Sequence, residues 1–158
     1  MKVTNTTSER VLPWIGLIAR LALGGVLFVA GAIKIPYPYK AAAAMRAYEL
    51  LPNSFASIFG YILPWFEVGL GLLLILGVAT RLSGLIGALL MILFIAAISS
   101  AWARGLTIDC GCFGGGGQVA AGETKYLQEI IRDIGLAIAG FYLYFRPYSR
   151  FALDNRGK

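Results

Sequence analysis

Apolar residues run along this chain in long blocks, separated by short polar or proline-rich joints. From Val11 to Ile33 the run is nearly unbroken, long enough for the ~20 residues that a membrane-spanning helix requires. Further runs cover 58–79 and 82–103 with only Thr80 and Arg81 between them, which predicts a tight antiparallel hairpin. A fourth run, 127–145, stops at Arg146-Pro147 and is less apolar at its start, where Glu129, Arg132 and Asp133 stand. Between the first two runs, Ile35-Pro36-Tyr37-Pro38-Tyr39 blocks regular helix, because each proline lacks a donor and restricts its predecessor. Ala41 to Leu51 then favours a short helix at the interface, ended by Pro52 and with its tyrosines at headgroup level.

The pattern predicts an all-α polytopic membrane protein with residues 1–158 as one membrane domain. Its architecture is a four-transmembrane-helix bundle with a short interfacial helix between spans 1 and 2. A cysteine-containing loop, 104–126, joins spans 3 and 4. Residues 1–10 are polar and are expected on the membrane surface. Ala30-Gly31-Ala32 resembles a signal-cleavage site, but the apolar run before it is too long for a signal core and holds Arg20, which favours a retained helix.

Composition sharpens the class. The chain is 58% hydrophobic and 14% charged, with a mean hydropathy of +0.74. A soluble domain has roughly 25% charged residues and about 45–50% apolar ones. The net charge of +6 does not point to nucleic acid, since the basic residues sit at the edges of apolar runs. With both termini cytoplasmic, Lys2, Arg10, Arg81, Arg146, Arg150, Arg156 and Lys158 lie inside. Lys34, Lys40, Arg46, Arg104 and Lys125 then lie outside. This modest positive-inside bias puts the 104–126 loop on the outer face, where disulfides persist. Small residues at Gly24, Gly25, Gly69, Gly71, Gly84 with Ala88, and Gly135 with Ala139 would let helix backbones approach closely.

Histidine is absent, which removes the usual haem and zinc ligand and the commonest general base. Two cysteines alone cannot complete a zinc site, so no metal or haem is expected. Thiol chemistry survives. Cys110 and Cys112, the only cysteines, flank Gly111 and precede Phe113 and the run Gly114 to Gly117. A thiol pair exchanges two electrons through a mixed disulfide. One intervening residue makes a tight ring, and a strained disulfide is readily reduced. The glycines are expected to leave the loop free to present either sulfur. A structural bridge is the competing reading, but so small a loop removes little unfolded-state entropy.

Charges inside the spans are the remaining candidates. Burying one costs about 2.5 kcal/mol or more, so such residues pair and often mark function. Arg20 and Glu67 come out at similar depths in adjacent antiparallel helices, which predicts an ion pair that either fixes register or handles protons. Arg132 and Asp133 lie just below the cysteine loop, and Arg132 could lower a thiol's pKa there. Lys34, at the outer end of the first helix, reads as a snorkelling anchor.

In order along the chain these features are Arg20, Gly24, Phe28, Ala30-Gly31 and Lys34, then Leu50-Leu51-Pro52 and Leu63-Pro64-Trp65 with Glu67 and Gly71. Cys110-Gly111-Cys112-Phe113-Gly114 and Arg132-Asp133 complete the series. From about Val11 to Arg146 the chain resembles the MauE branch of the DoxX-like membrane proteins. The resemblance implies a four-helix bundle in the bacterial inner membrane, beside a thioredoxin-like extracytoplasmic protein and within a larger redox assembly. DoxX relatives are linked to quinol oxidation, which makes a quinone the cofactor to consider. The resulting expectation is a membrane thiol–disulfide oxidoreductase working through Cys110 and Cys112. The alternatives are a non-catalytic scaffold subunit and a small transporter, the last disfavoured because no inverted repeat is visible.

Overall fold

The structure, a computed structural model, describes residues 6–157, with side chains from Arg10 to Asn155. Of the segment 1–10 expected on the membrane surface, residues 1–5 lie outside the described residues, and 6–10 begin the first helix. Five helices carry the fold: α1 (Thr6–Lys34), α2 (Pro38–Ala47), α3 (Asn53–Leu76), α4 (Thr80–Ala103) and α5 (Tyr126–Phe145). Between α4 and α5, β1 (Ile108–Asp109) pairs antiparallel with β2 (Gly117–Gln118), a two-stranded hairpin inside the cysteine loop. A 3-10 helix, Leu153–Gly157, follows α5.

Among the described residues three helices are long and apolar enough to cross a membrane: Arg10–Lys34, Asn53–Leu76 and Thr80–Ala103. The expected fourth span, α5, is not one of them, because Glu129, Arg132 and Asp133 dilute its first half. The interfacial helix starts at Pro38, three residues earlier than expected. Proline without a donor suits the first turn of a helix, where the N–H would have no partner.

Two tight pairs build the bundle. In α1 against α3, a Cβ on Gly24 would lie 2.8 Å from the Leu74 Cβ, and one on Gly31 would lie 2.5 Å from the Pro64 carbonyl oxygen. In α4 against α5, a Cβ on Gly84 would lie 2.8 Å from the Leu143 Cβ, and one on Gly140 the same distance from the Ala88 Cβ. Without water to drive association, close packing of small residues is what holds membrane helices together. Gly25, Gly69 and Gly135, expected to do the same, meet nothing within 4 Å. Leu23, Leu27, Leu70, Leu74, Met91 and Leu143 fill the space between the pairs.

The α3–α4 hairpin differs from expectation. Its turn falls at Gly77 to Ala79, with Gly77 closing α3 at a φ of 70°, and the two helices splay instead of packing tightly. At this end of the bundle the segment after α5 folds back across α1 and α4. The Arg150 N–H donates to the Pro13 carbonyl at 3.2 Å. The Asp154 carboxylate accepts from the N–H groups of Ala79 and Thr80 at 2.8 and 2.7 Å, capping α4. α2 and the cysteine hairpin close the opposite end.

Candidate functional site

The hairpin does not swing free. A second buried cluster joins Cys110 and Cys112 to Tyr48, Ile98, Ala101, Ile108 and Tyr126. The Tyr126 hydroxyl accepts from the Ile108 N–H at 3.1 Å and donates to the Leu106 carbonyl, which ties the first strand to α5. The Tyr48 hydroxyl donates to the Cys110 carbonyl at 3.1 Å, and Arg104 donates to the Tyr48 carbonyl from the end of α4. Burial, reinforced by the Glu129 carboxylate, pushes the Tyr48 phenol well above its ordinary range, so it stays a neutral donor.

Cys110 and Cys112 are joined by a disulfide, with Cα atoms 5.4 Å apart. They are only 8% and 9% exposed. This corrects the expectation of a mobile loop offering either sulfur. The glycines serve close approach: at Gly111, with a φ of 69°, a Cβ would lie 2.7 Å from the Ala44 Cβ, and Gly116 presses on the same alanine. The loop therefore lies flat on the small face of α2, where a side chain at Gly111 would be doubly opposed.

Two cavities meet at the bridge. One, of about 580 Å³, lies where α3 and α4 splay; Phe59, Ile62, Phe66, Leu90, Leu93 and Phe94 wall it. Lys34 is its only charged lining residue, and Cys110, Gly111 and Cys112 form its roof. Phe59, Ile62 and Leu93 are also among the strongly exposed apolar side chains, so the cavity opens sideways on the apolar flank of the bundle. The other cavity, of about 850 Å³, is the more polar of the two and is lined by Asp109, Cys110, Phe113, Lys125, Glu129 and Arg132 among others. Cys110 lines both cavities, whereas Cys112 lines only the apolar one.

The charged candidates are arranged differently from the expected pairs. Glu67 does not meet Arg20. Its two carboxylate oxygens accept from Lys34 at 3.0 and 2.9 Å, and Lys34 is buried instead of snorkelling outward. Arg20 donates to the Ser149 hydroxyl at 2.8 Å, at the other end of the bundle, beside Gly77. The glycine contacts explain why. With Gly24 set against Leu74 and Gly31 against Pro64, Arg20 falls opposite Gly77, roughly 15 Å along the axis from Glu67.

Arg132 holds one Asp133 carboxylate oxygen at 2.9 and 2.8 Å and stacks over the Phe113 ring at 5.0 Å. It reaches the cysteine loop, but through Phe113 and not through a sulfur. Asp133 is 1% exposed, and its second oxygen has no hydrogen-bond partner among the described residues. Sequence reasoning gave Asp109 and Glu129 no role at Cys110. Donor atoms of Asp109, Cys110 and Glu129 lie within 4.8 Å of one another, although the Cys110 sulfur is already bonded to Cys112. Asp109 was visible next to Cys110; Glu129 arrives only through the packing of α5.

With this geometry in hand, comparison with known proteins decides the family. The model for the methylamine utilisation protein MauE matches residues 12–146. This chain belongs to the MauE family. The MauE methylamine utilization protein of Methylorubrum extorquens (strain ATCC 14718 / DSM 1338 / JCM 2805 / NCIMB 9133 / AM1) is 37% identical over 102 residues, covering 63% of this chain and 52% of that protein. Its counterpart in Methylophilus methylotrophus is 33% identical over 101 residues, covering 63% and 53%. The chain thus spans about half the length of these curated relatives. No solved structure matches it. The three apolar helices agree with a membrane protein of the MauE family.

Proposed function

We propose that this MauE-family chain is a membrane thiol–disulfide oxidoreductase whose Cys110–Cys112 pair exchanges electrons with a thioredoxin-like extracytoplasmic protein. One observation carries the reading. The bridge forms the partition between a polar cavity and an apolar one that opens on the bundle's flank. A protein thiol can approach from the first and a lipid-soluble carrier from the second. The apolar walls suit the ring and tail of a quinone, and the Lys34 ammonium is positioned to donate to a ring carbonyl. A quinone bound there would supply two-electron transfer. Lys34 would orient it, itself held in place by Glu67.

The reading includes a fourth span. α5 lies antiparallel along α4, from the Trp102–Tyr126 ring pair to the contact of Gly84 with Leu143. Leu127, Ile131, Ile134 and Ile138 are exposed along one side, a lipid-facing stripe, while Asp133 turns inward. With both termini cytoplasmic in the bacterial inner membrane, the hairpin faces the oxidising side.

The burial of both sulfurs favours a second reading, a non-catalytic subunit of a larger redox or maturation complex in which the bridge is structural. One experiment separates the two. Cys110→Ser and Cys112→Ser variants are expressed in intact cells, and disulfide-linked partners are trapped with acid and identified. A covalent adduct with a thioredoxin-fold protein supports exchange. Its absence from both variants, with the protein present at normal levels, supports the scaffold. Labelling of reduced wild-type protein by an impermeant thiol reagent only after lysis would reverse the orientation.

A further inference from the structure

The two sulfurs of the bridge have different surroundings, and chemistry follows from the difference. We propose that Cys110 is the sulfur exchanged with the water-soluble thiol partner, while Cys112 is the leaving sulfur and remains turned to the apolar cavity. The inference rests on the oxidoreductase reading and assigns the roles inside it.

Access is the first argument. The polar cavity is lined by Cys110 but not Cys112, and the Cys110 sulfur lies within 4.8 Å of carboxyl oxygens of Asp109 and Glu129, which line it too, so a hydrophilic group entering there approaches that sulfur. Its walls combine Asp109, Glu123 and Glu129 with Lys125 and Arg132, a mixed lining suited to the polar backbone and charged side chains of a peptide. Cys112, by contrast, contributes only to the cavity walled by α3 and α4 side chains.

Electrostatics is the second and independent argument. In thiol–disulfide exchange the sulfur better able to hold negative charge leaves faster. An Asp109 carboxylate oxygen and a Glu129 carboxyl oxygen lie within 4.8 Å of the Cys110 sulfur, which opposes negative charge there. The Cys112 N–H, 3.1 Å from that sulfur, acts the other way. It brings the partial charge of one amide against the full charge of the Asp109 carboxylate. Both cysteines are almost equally buried, so desolvation does not separate them, and departure of Cys112 is favoured over departure of Cys110.

The step is a single exchange. The partner's thiolate attacks the Cys110 sulfur, the Cys110–Cys112 bond breaks, and a partner–Cys110 disulfide forms. Cys112 leaves as a thiolate carrying the electron pair and takes a proton from water. No net oxidation occurs in this step, since one disulfide replaces another.

The test uses chemical probes and so does not depend on any physiological partner. Full-length protein in nanodiscs is reduced and treated with substoichiometric bromoethylamine, a cationic alkylating reagent, or with N-cyclohexylmaleimide, an apolar one. Peptide fragmentation then places the label. The expected result is at least tenfold preference of bromoethylamine for Cys110, with the preference lost or reversed for the maleimide. The single variants give the same answer by rate: Cys112→Ser reacts with a cationic disulfide such as cystamine, and Cys110→Ser does so at least tenfold more slowly. Equal labelling of both sulfurs by bromoethylamine, or preference for Cys112, overturns the assignment. If the asymmetry holds but no thioredoxin-fold adduct forms in cells, the assignment of accessibility stands and the oxidoreductase reading is what fails.

Discussion

Lys34 Nζ lies 3.0 and 2.9 Å from the two carboxylate oxygens of Glu67, an ion pair between α1 and α3 whose side chains are 7% and 1% exposed. Its lysine lines the apolar cavity that the disulfide roofs. A pair this dry holds only while both members are present, because each charge is the other's solvation. Lys34→Met or Glu67→Leu alone is expected to destabilise the protein by about 3–5 kcal/mol. The charge-swapped double variant, Lys34→Glu with Glu67→Lys, should recover part of that loss. Exchanging Arg20 with Glu67 should recover none. Thermal unfolding in detergent separates these outcomes, and rescue by the Arg20 exchange would falsify the register described above.

Arg20 anchors the segment after α5 instead. Ser149→Ala removes the acceptor for a guanidinium that is 2% exposed and whose Nε already lacks a partner among the described residues. A loss of roughly 1–3 kcal/mol is expected. Limited proteolysis should then cut near 146–157 faster, with cleavage around the cysteine hairpin unchanged.

Asp154 makes the same end of the bundle sensitive to acid. Partial burial pushes its carboxyl up, but the N–H bonds from Thr80 and Ala79 and the Arg20 charge outweigh this and hold it below its ordinary value. A depressed folded-state pKa means that the cap's contribution is full above the unfolded value near ~3.9 and fades as pH falls through the folded value. Asp154→Asn should flatten that acid-side loss, and Asp154→Ala should cost about 1 kcal/mol at neutral pH. Melting curves measured from pH 7 downward give both numbers.

The glycines divide into two testable groups. Gly31→Leu and Gly140→Leu force side chains into backbone contacts of neighbouring helices, which should cost about 1–3 kcal/mol or more. Gly69→Ala and Gly135→Ala meet open space and should be neutral or slightly stabilising, since alanine is the better helix former. Equal effects from the two groups would mean that the helix pairs are set differently.

Tyr48→Phe tests how the hairpin is held. It removes the hydroxyl that donates to the Cys110 carbonyl while keeping the ring in its cluster. The expected cost is about 1 kcal/mol, together with faster hydrogen exchange over 106–118 and little change in α3 or α4.

The sequence by itself determined the helices and the place of the cysteines. Apolar runs with polar joints admit few other solutions in a chain this rich in hydrophobic residues, and Cys110-Gly111-Cys112 stands where no spanning helix could hold it. What only the tertiary structure decided is which residues meet. Depth counted along separate helices made Arg20 and Glu67 look level. The register between α1 and α3 is set instead by backbone contact at Gly24, Gly31, Gly71 and Pro64, and a shift of a few residues exchanges one partner for another. The short α3–α4 turn implied close packing, yet helix contact depends on where small residues lie, and theirs face α1 and α5. That mismatch opens the cavity beneath the bridge. The glycine run read as freedom, because a left-handed turn and a close approach to Ala44 ask for the same residue type. Distances between helices are long-range facts, and a one-dimensional pattern carries them only where a small residue records the contact.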